Sequence, residues 1–195
     1  MNGKTVALIF LTGFLIIGLG FTGWYFMTYN SLVSKKVEVE AKWSEVQNQY
    51  QRRFDLIPSL VNATKIYINY ETNLLTAIAE ARSQWGKSLS MPVEEQMNAQ
   101  TQLDSVLSRL LAVVSVENYP ELKGDKVVMT LMDELAGTNN RIAVARTRYI
   151  ETVQSYNTIL QVFPINIVAN MSGFKIMPTY QAQTEAQTAP KVPIG

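Results

Sequence analysis

The sequence predicts an all-α protein: an N-terminal single-pass transmembrane helix, an antiparallel bundle of three long helices with the first kinked at Pro58, and a flexible C-terminal tail. Three observations predict it. No charged residue occurs between Lys4 and Lys35, and from Val6 to Met27 the only polar side chains besides Trp24 and Tyr25 are Thr12 and Thr22. Beyond that stretch, apolar residues recur in steps of three and four over two long runs. No alternation of apolar and polar residues long enough for a strand interrupts them.

The first element is the anchor, residues 1–28. A helix needs about twenty apolar residues to cross the hydrocarbon core, where it alone, apart from a closed barrel, satisfies its own backbone. A cleaved signal peptide would have a shorter apolar core and small residues at its end. Here the run closes on Trp24, Tyr25, Phe26, Met27 and Tyr29, aromatics suited to the membrane interface. A lipoprotein anchor is excluded because the chain has no cysteine. Gly13, Gly18 and Thr22 offer a small-residue face for pairing with a second membrane helix, against which stands the plain reading of a helix that faces lipid all round. Lys4 lies on one side of the anchor and Lys35 and Lys36 on the other, so the distribution of positive charge does not assign the side of the membrane that the soluble domain occupies.

The first soluble helix follows without a glycine or proline between Gly23 and Pro58, so the anchor can run straight into it. A short break at residues 28–31, where Thr28, Asn30 and Ser31 could cap a new helix, is the alternative. Its seam is Trp43, Val46, Tyr50, Arg53, Ile57, Leu60, Thr64, Tyr67, Glu71, Leu74, Ile78, Ala81 and Trp85, of which ten of thirteen are apolar. Phe54, Val61, Ile68 and Leu75 widen that stripe to the width of a bundle interior. Pro58 removes one hydrogen bond and is expected to kink the helix or split it near Leu56 and Ile57. A second helix starts at Ser90 and Pro92, places Glu94, Glu95 and Asp104 early, where the helix dipole favours acids, and stops at Tyr119-Pro120. A third begins near Asp125. Its seam from Val128 to Phe163 is apolar at nine of eleven positions, and Pro164 ends or bends it. Residues 165–171 form one short apolar turn or helix, Gly173 breaks it, and residues 176–195 read as a flexible tail.

Composition removes function classes. Seventeen basic residues against sixteen acidic ones give a net charge of +1, which provides no global field to gather nucleic acid. With neither cysteine nor histidine in the chain, disulfides, thiolate nucleophiles, Cys-type zinc sites and Ser-His-Asp or Cys-His catalysis are closed off. The acidic pairs Glu38 and Glu40, Glu94 and Glu95, and Asp133 and Glu134 lack the repeated Glu-x-x-His of di-iron bundles, and there is no Gly-rich phosphate loop. The expectation is a non-enzymatic protein with no catalytic residues, cofactor or metal.

Several stretches resemble the signature of the LemA family of bacterial membrane-anchored proteins: Tyr29-Asn30 with Leu32-Val33, Trp43-Ser44, and Gln49-Tyr50-Gln51-Arg52-Arg53-Phe54-Asp55-Leu56-Ile57-Pro58. The second half agrees in order and spacing, with Asn140-Arg141-Ile142-Ala143-Val144-Ala145-Arg146, Tyr149, Tyr156-Asn157, Phe163-Pro164-x-Asn166-Ile167 and Gly173-Phe174-Lys175. The likeness runs from about Tyr29 to Met177. Ser59 stands where the family usually has Asn, and Tyr70-Glu71 where it commonly has His-Glu, which weakens any family-wide catalytic site there. The resemblance implies an all-helical antiparallel bundle behind one helix in the bacterial inner membrane, with a structural or accessory role.

Two polar groups stand out. Arg52, Arg53 and Asp55 interrupt the apolar seam, and Asn140, Arg141, Arg146, Arg148 and Tyr149 lie on the third helix. If the helices run antiparallel, the two groups meet as an internal hydrogen-bond network, a reading favoured over a phosphate grip or a basic binding patch. Tyr67, Tyr70, Trp85 and Tyr156 read as core and cap residues. Phe163, Ile165, Ile167, Phe174 and Lys175 form a candidate interface segment. Together these features point to a scaffold in contact with the lipid bilayer that self-associates into a homo-oligomer. Two rivals are an adaptor that presents clients to another membrane complex such as a protease, and a membrane-remodelling module.

Overall fold

The computed structural model describes residues 3–65, 72–114 and 125–180. They form α1 (Gly3–Thr64), α2 (Thr72–Ser88), α3 (Val93–Val113), α4 (Lys126–Ile159) and α5 (Ile165–Met171), and no strand occurs among them. The chain divides into two compact units, one of Met1–Lys42 with Glu151–Met177 and one of Trp43–Ile150 with Pro178–Gly195.

In the first unit, α1 begins with the apolar stretch. An 18-residue window of it has a mean hydropathy of 1.8, and none of that window is buried by the protein. The hydroxyl of Thr12 donates to the carbonyls of Leu8 and Ile9, and that of Thr22 to Gly18, so the few polar side chains of the run are absorbed by the helix itself. No break occurs at residues 28–31. Leu32 and Val39 are buried together with Val153 and Tyr156 of α4, Leu160 just beyond its end, and Val168 and Ala169 of α5. The Phe163–Pro164 peptide is cis. Gly173 closes α5 at φ +73°, with Phe174 N–H donating to Ala169 O at 3.0 Å and Gly173 N–H to Asn170 O at 3.3 Å. This is the paired hydrogen bonding that a left-handed residue after a helix permits.

In the second unit, the expected helix through to Trp85 is two helices. The seam is read correctly on each side, but α1 ends at Thr64 and α2 starts at Thr72. α2 folds back on α1: the Tyr50 and Trp85 rings lie 5.5 Å apart, and the Arg82 guanidinium sits 4.4 Å above the Phe54 ring. Part of the wide apolar stripe of α1 is thus covered by its own continuation in α2. Periodicity hides this reversal because both arms keep the same phase. The expected split at Leu56 and Ile57 does not occur: Pro58 lies inside α1, flanked by the fully buried Ile57 and Leu60, whose packing holds the helix across the missing bond. Tyr67, Tyr70 and Glu71 lie outside the described residues, as do Tyr119 and Pro120.

α3 starts after Pro92, whose carbonyl accepts from Glu95 N–H at 3.0 Å. Asp125 caps α4, its carboxylate accepting from the N–H groups of Val127 at 2.9 Å and Val128 at 3.2 Å. Leu103, Leu107 and Leu110 of α3 and Val128, Leu135 and Ile142 of α4 complete the core.

Candidate functional site

The most concentrated polar chemistry is in the second unit, around the α3 carboxylate Asp104. The i, i+4 spacing of Gln100 and Asp104 puts both on one edge of the α3 face that buries Leu103 and Leu107. Asp104 Oδ1 accepts from Arg53 Nη1 at 2.5 Å, and Oδ2 accepts from Tyr50 OH at 2.9 Å and from Arg146 Nη2 at 2.9 Å. The Tyr50 hydroxyl in turn accepts from Arg146. Three helices are tied through one carboxylate.

Two guanidinium groups share one acid, so the cluster holds one positive charge in excess. Aromatic faces take up that excess: the Arg146 guanidinium lies 4.6 Å from the Tyr180 ring centre and 5.2 Å from that of Tyr50. Arg53 is 5 % exposed, which makes it the charge with most to lose from a missing partner. Burial pushes the Tyr50 hydroxyl well above its ordinary range, and the neighbouring Asp104 carboxylate adds to the shift. Burial likewise raises Tyr180, against the opposing pull of Arg146, and moves Tyr149 up to about 12. These phenols stay protonated and serve as hydrogen-bonding groups.

An aromatic and amide layer adjoins the cluster. Trp43 packs on Tyr149 at 5.1 Å and on Tyr180 at 6.2 Å. Gln96 Oε1 accepts from Gln47 at 2.6 Å and from the Trp43 indole at 3.3 Å, while its amide donates to Met91 O. Tyr149 donates to Pro178 O at 2.9 Å, and Tyr180 hydrogen-bonds with the fully buried Gln100. The segment expected to begin a free tail is therefore fastened into the core as far as Tyr180. In the first unit, Asn157 brackets Met177 in the same way, donating to its carbonyl at 2.9 Å and accepting from its N–H at 2.8 Å.

Of the residues the sequence singled out for a polar network, Arg53, Arg146 and Tyr149 lie in or against this cluster. Arg52, Asp55, Asn140 and Arg141 do not. Arg52 is exposed, and Asp55 accepts from Gln51 one turn earlier on the outer face of α1. Asn140 and Arg141 line a surface groove of about 450 Å³ with Glu45, Asn48, Gln49 and Arg148. Helical phase explains the division: positions 53 and 146 fall on buried rows with Tyr50 and Tyr149, whereas 52, 55 and 141 fall outside them. Trp85 and Tyr156 are core residues as expected. Asp104, Gln100 and Tyr180 escaped the sequence reading. Asp104 looked like an acid placed for the helix dipole, and the one signal for Tyr180 is that it is the sole aromatic after Phe174.

Gly13, Gly18 and Thr22 lie exposed or half-exposed along α1, and a Cβ built on Gly13 or Gly18 would meet no atom within 4 Å. In the candidate interface segment, Phe163 is 76 % and Ile167 44 % exposed and Lys175 is exposed. Ile165 is half-buried, and Phe174 packs edge-on against the Tyr29 ring at 5.7 Å. Among the described residues no group of three or more acids is placed to hold a metal ion.

The family model for the LemA family matches residues 42–193. The chain belongs to the LemA family. That match takes in the Asp104 cluster and Tyr180. Among curated relatives, Magnetosome protein MamQ 2 of Paramagnetospirillum magneticum is 25% identical over 186 residues, covering 83% of this chain and 68% of that protein. Magnetosome protein MamQ of Magnetospirillum gryphiswaldense is 23% identical over the same coverage. Protein LemA of Metamycoplasma hominis is 24% identical over 153 residues, covering 78% of this chain and 68% of that protein. The apolar N-terminal run of α1 marks this LemA-family chain as a membrane protein.

Proposed function

We propose that this chain is a non-enzymatic scaffold, held in the bacterial inner membrane by a single pass of α1, whose up-and-down helical bundle assembles by contact with further copies of itself. The observation that carries the reading is that the Asp104 carboxylate is fully engaged, while the donors left over in its cluster, Arg53 Nε, Arg146 Nε and Gln100 Nε2, are buried and open onto no solvent. Both carboxylate oxygens are taken by Arg53, Arg146 and Tyr50, and the excess charge is covered by tyrosine rings, so the richest polar chemistry in the described residues is turned inward. A binding or catalytic centre needs unsatisfied donors or acceptors directed at an open space. None of the relatives' names denotes an enzyme.

Self-association is supported by the open faces of Gly13 and Gly18, where a second membrane helix can approach closely. The test is the mass of the full-length protein in mild detergent, by size exclusion with light scattering. A defined oligomer that dissociates on Gly13→Leu and Gly18→Leu substitution supports the proposal. A strict monomer across working concentrations overturns self-association and favours an adaptor that presents clients to another membrane complex.

A further inference from the structure

Helix α5 reads Ile-Asn-Ile-Val-Ala-Asn-Met, with no charge, and it is apolar on two sides. Val168 and Ala169 face the protein and are 1 % exposed. On another side, Ile167 and Met171 lie four residues apart on one row and are 44 % and 70 % exposed, and Phe163, just before the helix, is 76 % exposed. A short helix with an apolar outer row is a poor fit to water and a good fit to a second apolar phase.

The contacts of α5 say which phase is at hand. Immediately after it, Ser172 shares a hydrogen bond of 3.0 Å with the hydroxyl of Tyr25, and Phe174 packs on Tyr29. Tyr25 and Tyr29 belong to the aromatic group that closes the charge-free run of α1, and tyrosine and tryptophan concentrate where a membrane helix leaves the hydrocarbon. The chain then moves away from the apolar run: Lys175 to Met177 line one groove with Val33, Lys36 and Glu40. The C-terminal end of α5 therefore stands at the height of Tyr25, and Lys175 and Lys36 stand beyond it, where headgroups lie.

We infer that the exposed apolar side chains Phe163, Ile167 and Met171 are seated in the interfacial layer of the same bilayer that α1 crosses, giving the chain a second membrane contact far from the first in sequence. This rests on the reading of α1 as a membrane span, and the test separates the two. The chain has no cysteine, so Phe163→Cys, Ile167→Cys and Met171→Cys can each carry a single nitroxide on the full-length protein in phosphatidylcholine and phosphatidylglycerol vesicles. Leu15→Cys reports the span, and Gln154→Cys, exposed on α4 of the same unit, reports water.

The expected result is that labels at 163, 167 and 171 meet dissolved oxygen more often than a water-soluble nickel chelate, as at 15, with the preference reversed at 154. Labels at all three positions as open to the chelate as at 154, with 15 shielded, overturn the inference and leave the span intact. Line broadening at 163 or 167 that disappears on dilution with unlabelled protein also overturns it, in favour of a second copy. A water-exposed label at 15 overturns the span and the inference together. The substituted side chains are exposed, and each position is read independently.

Discussion

Asp104→Ala is expected to destabilise the bundle far more than a surface ion pair would. The substitution leaves Arg53, 5 % exposed, and Arg146 without their shared anion. Stripping a buried ion of its partner costs about 3–5 kcal/mol, and the lower end applies here because the Asp104 side chain is itself 24 % exposed. At about 3 kcal/mol, a chain of this length should lose roughly 6–12 °C in melting temperature. The assay is thermal unfolding of the full-length protein in mild detergent, followed by far-ultraviolet circular dichroism and by the fluorescence of the buried Trp43 and Trp85. Glu38→Ala is the control: it removes an exposed i, i+3 partner of Lys35 and should cost no more than about 0.5 kcal/mol. The triple change Arg53→Met, Asp104→Leu and Arg146→Met should recover most of the loss, because the penalty comes from an uncompensated charge and not from a missing attraction. An Asp104→Ala loss no larger than that of Glu38→Ala would refute the assignment of the cluster as the polar tie among three helices.

Other outcomes follow from the same contacts. Tyr180→Ala should lower the stability measured in chemical denaturation by about 2 kcal/mol, below the range for a fully buried aromatic because this side chain is only partly enclosed. Gly173→Ala should cost about 1–2 kcal/mol in chemical denaturation, all of it from the left-handed backbone at φ +73°, since an added Cβ meets nothing within 4 Å. Alkaline pH should unfold the protein in a defined window. The folded Tyr149 ionises at about 12 while an unfolded tyrosine ionises near 10, so the stabilisation is complete below about pH 10 and is lost as pH rises towards 12. Tyr149→Phe should flatten that part of a pH titration of stability.

What could be read from sequence was periodic, and what could not was a matter of pairing. The seam through Trp43, Tyr50, Ile57 and Leu60 is a property of one helix and survives without knowledge of its partners. The reversal of α2 against α1 left no trace in that pattern, because no glycine or proline occurs between Thr64 and Thr72 and the apolar phase continues into Leu74, Ile78 and Trp85. Arg53 was conspicuous as a charge on a buried row, and Arg146 and Tyr149 share such a row on α4. Their common partner was not conspicuous, since Asp104 lies 51 residues from Arg53 and 42 from Arg146. Tyr180 was hidden by its neighbours: a polar, proline-containing segment looks unstructured until one aromatic in it is found against Trp43 and Tyr149.

The sharing of one carboxylate by two arginines also limits how this sequence can drift. A change at 104 alone strands two guanidinium groups, one of them almost fully buried, and a change at 53 or 146 alone removes one of the hydrogen-bonding partners of the Asp104 carboxylate. Each single substitution passes through a less stable intermediate, although the endpoint with three apolar residues need not be less stable than the start. Lineages that descend from an ancestor with this trio should therefore keep all three positions or exchange them as a set.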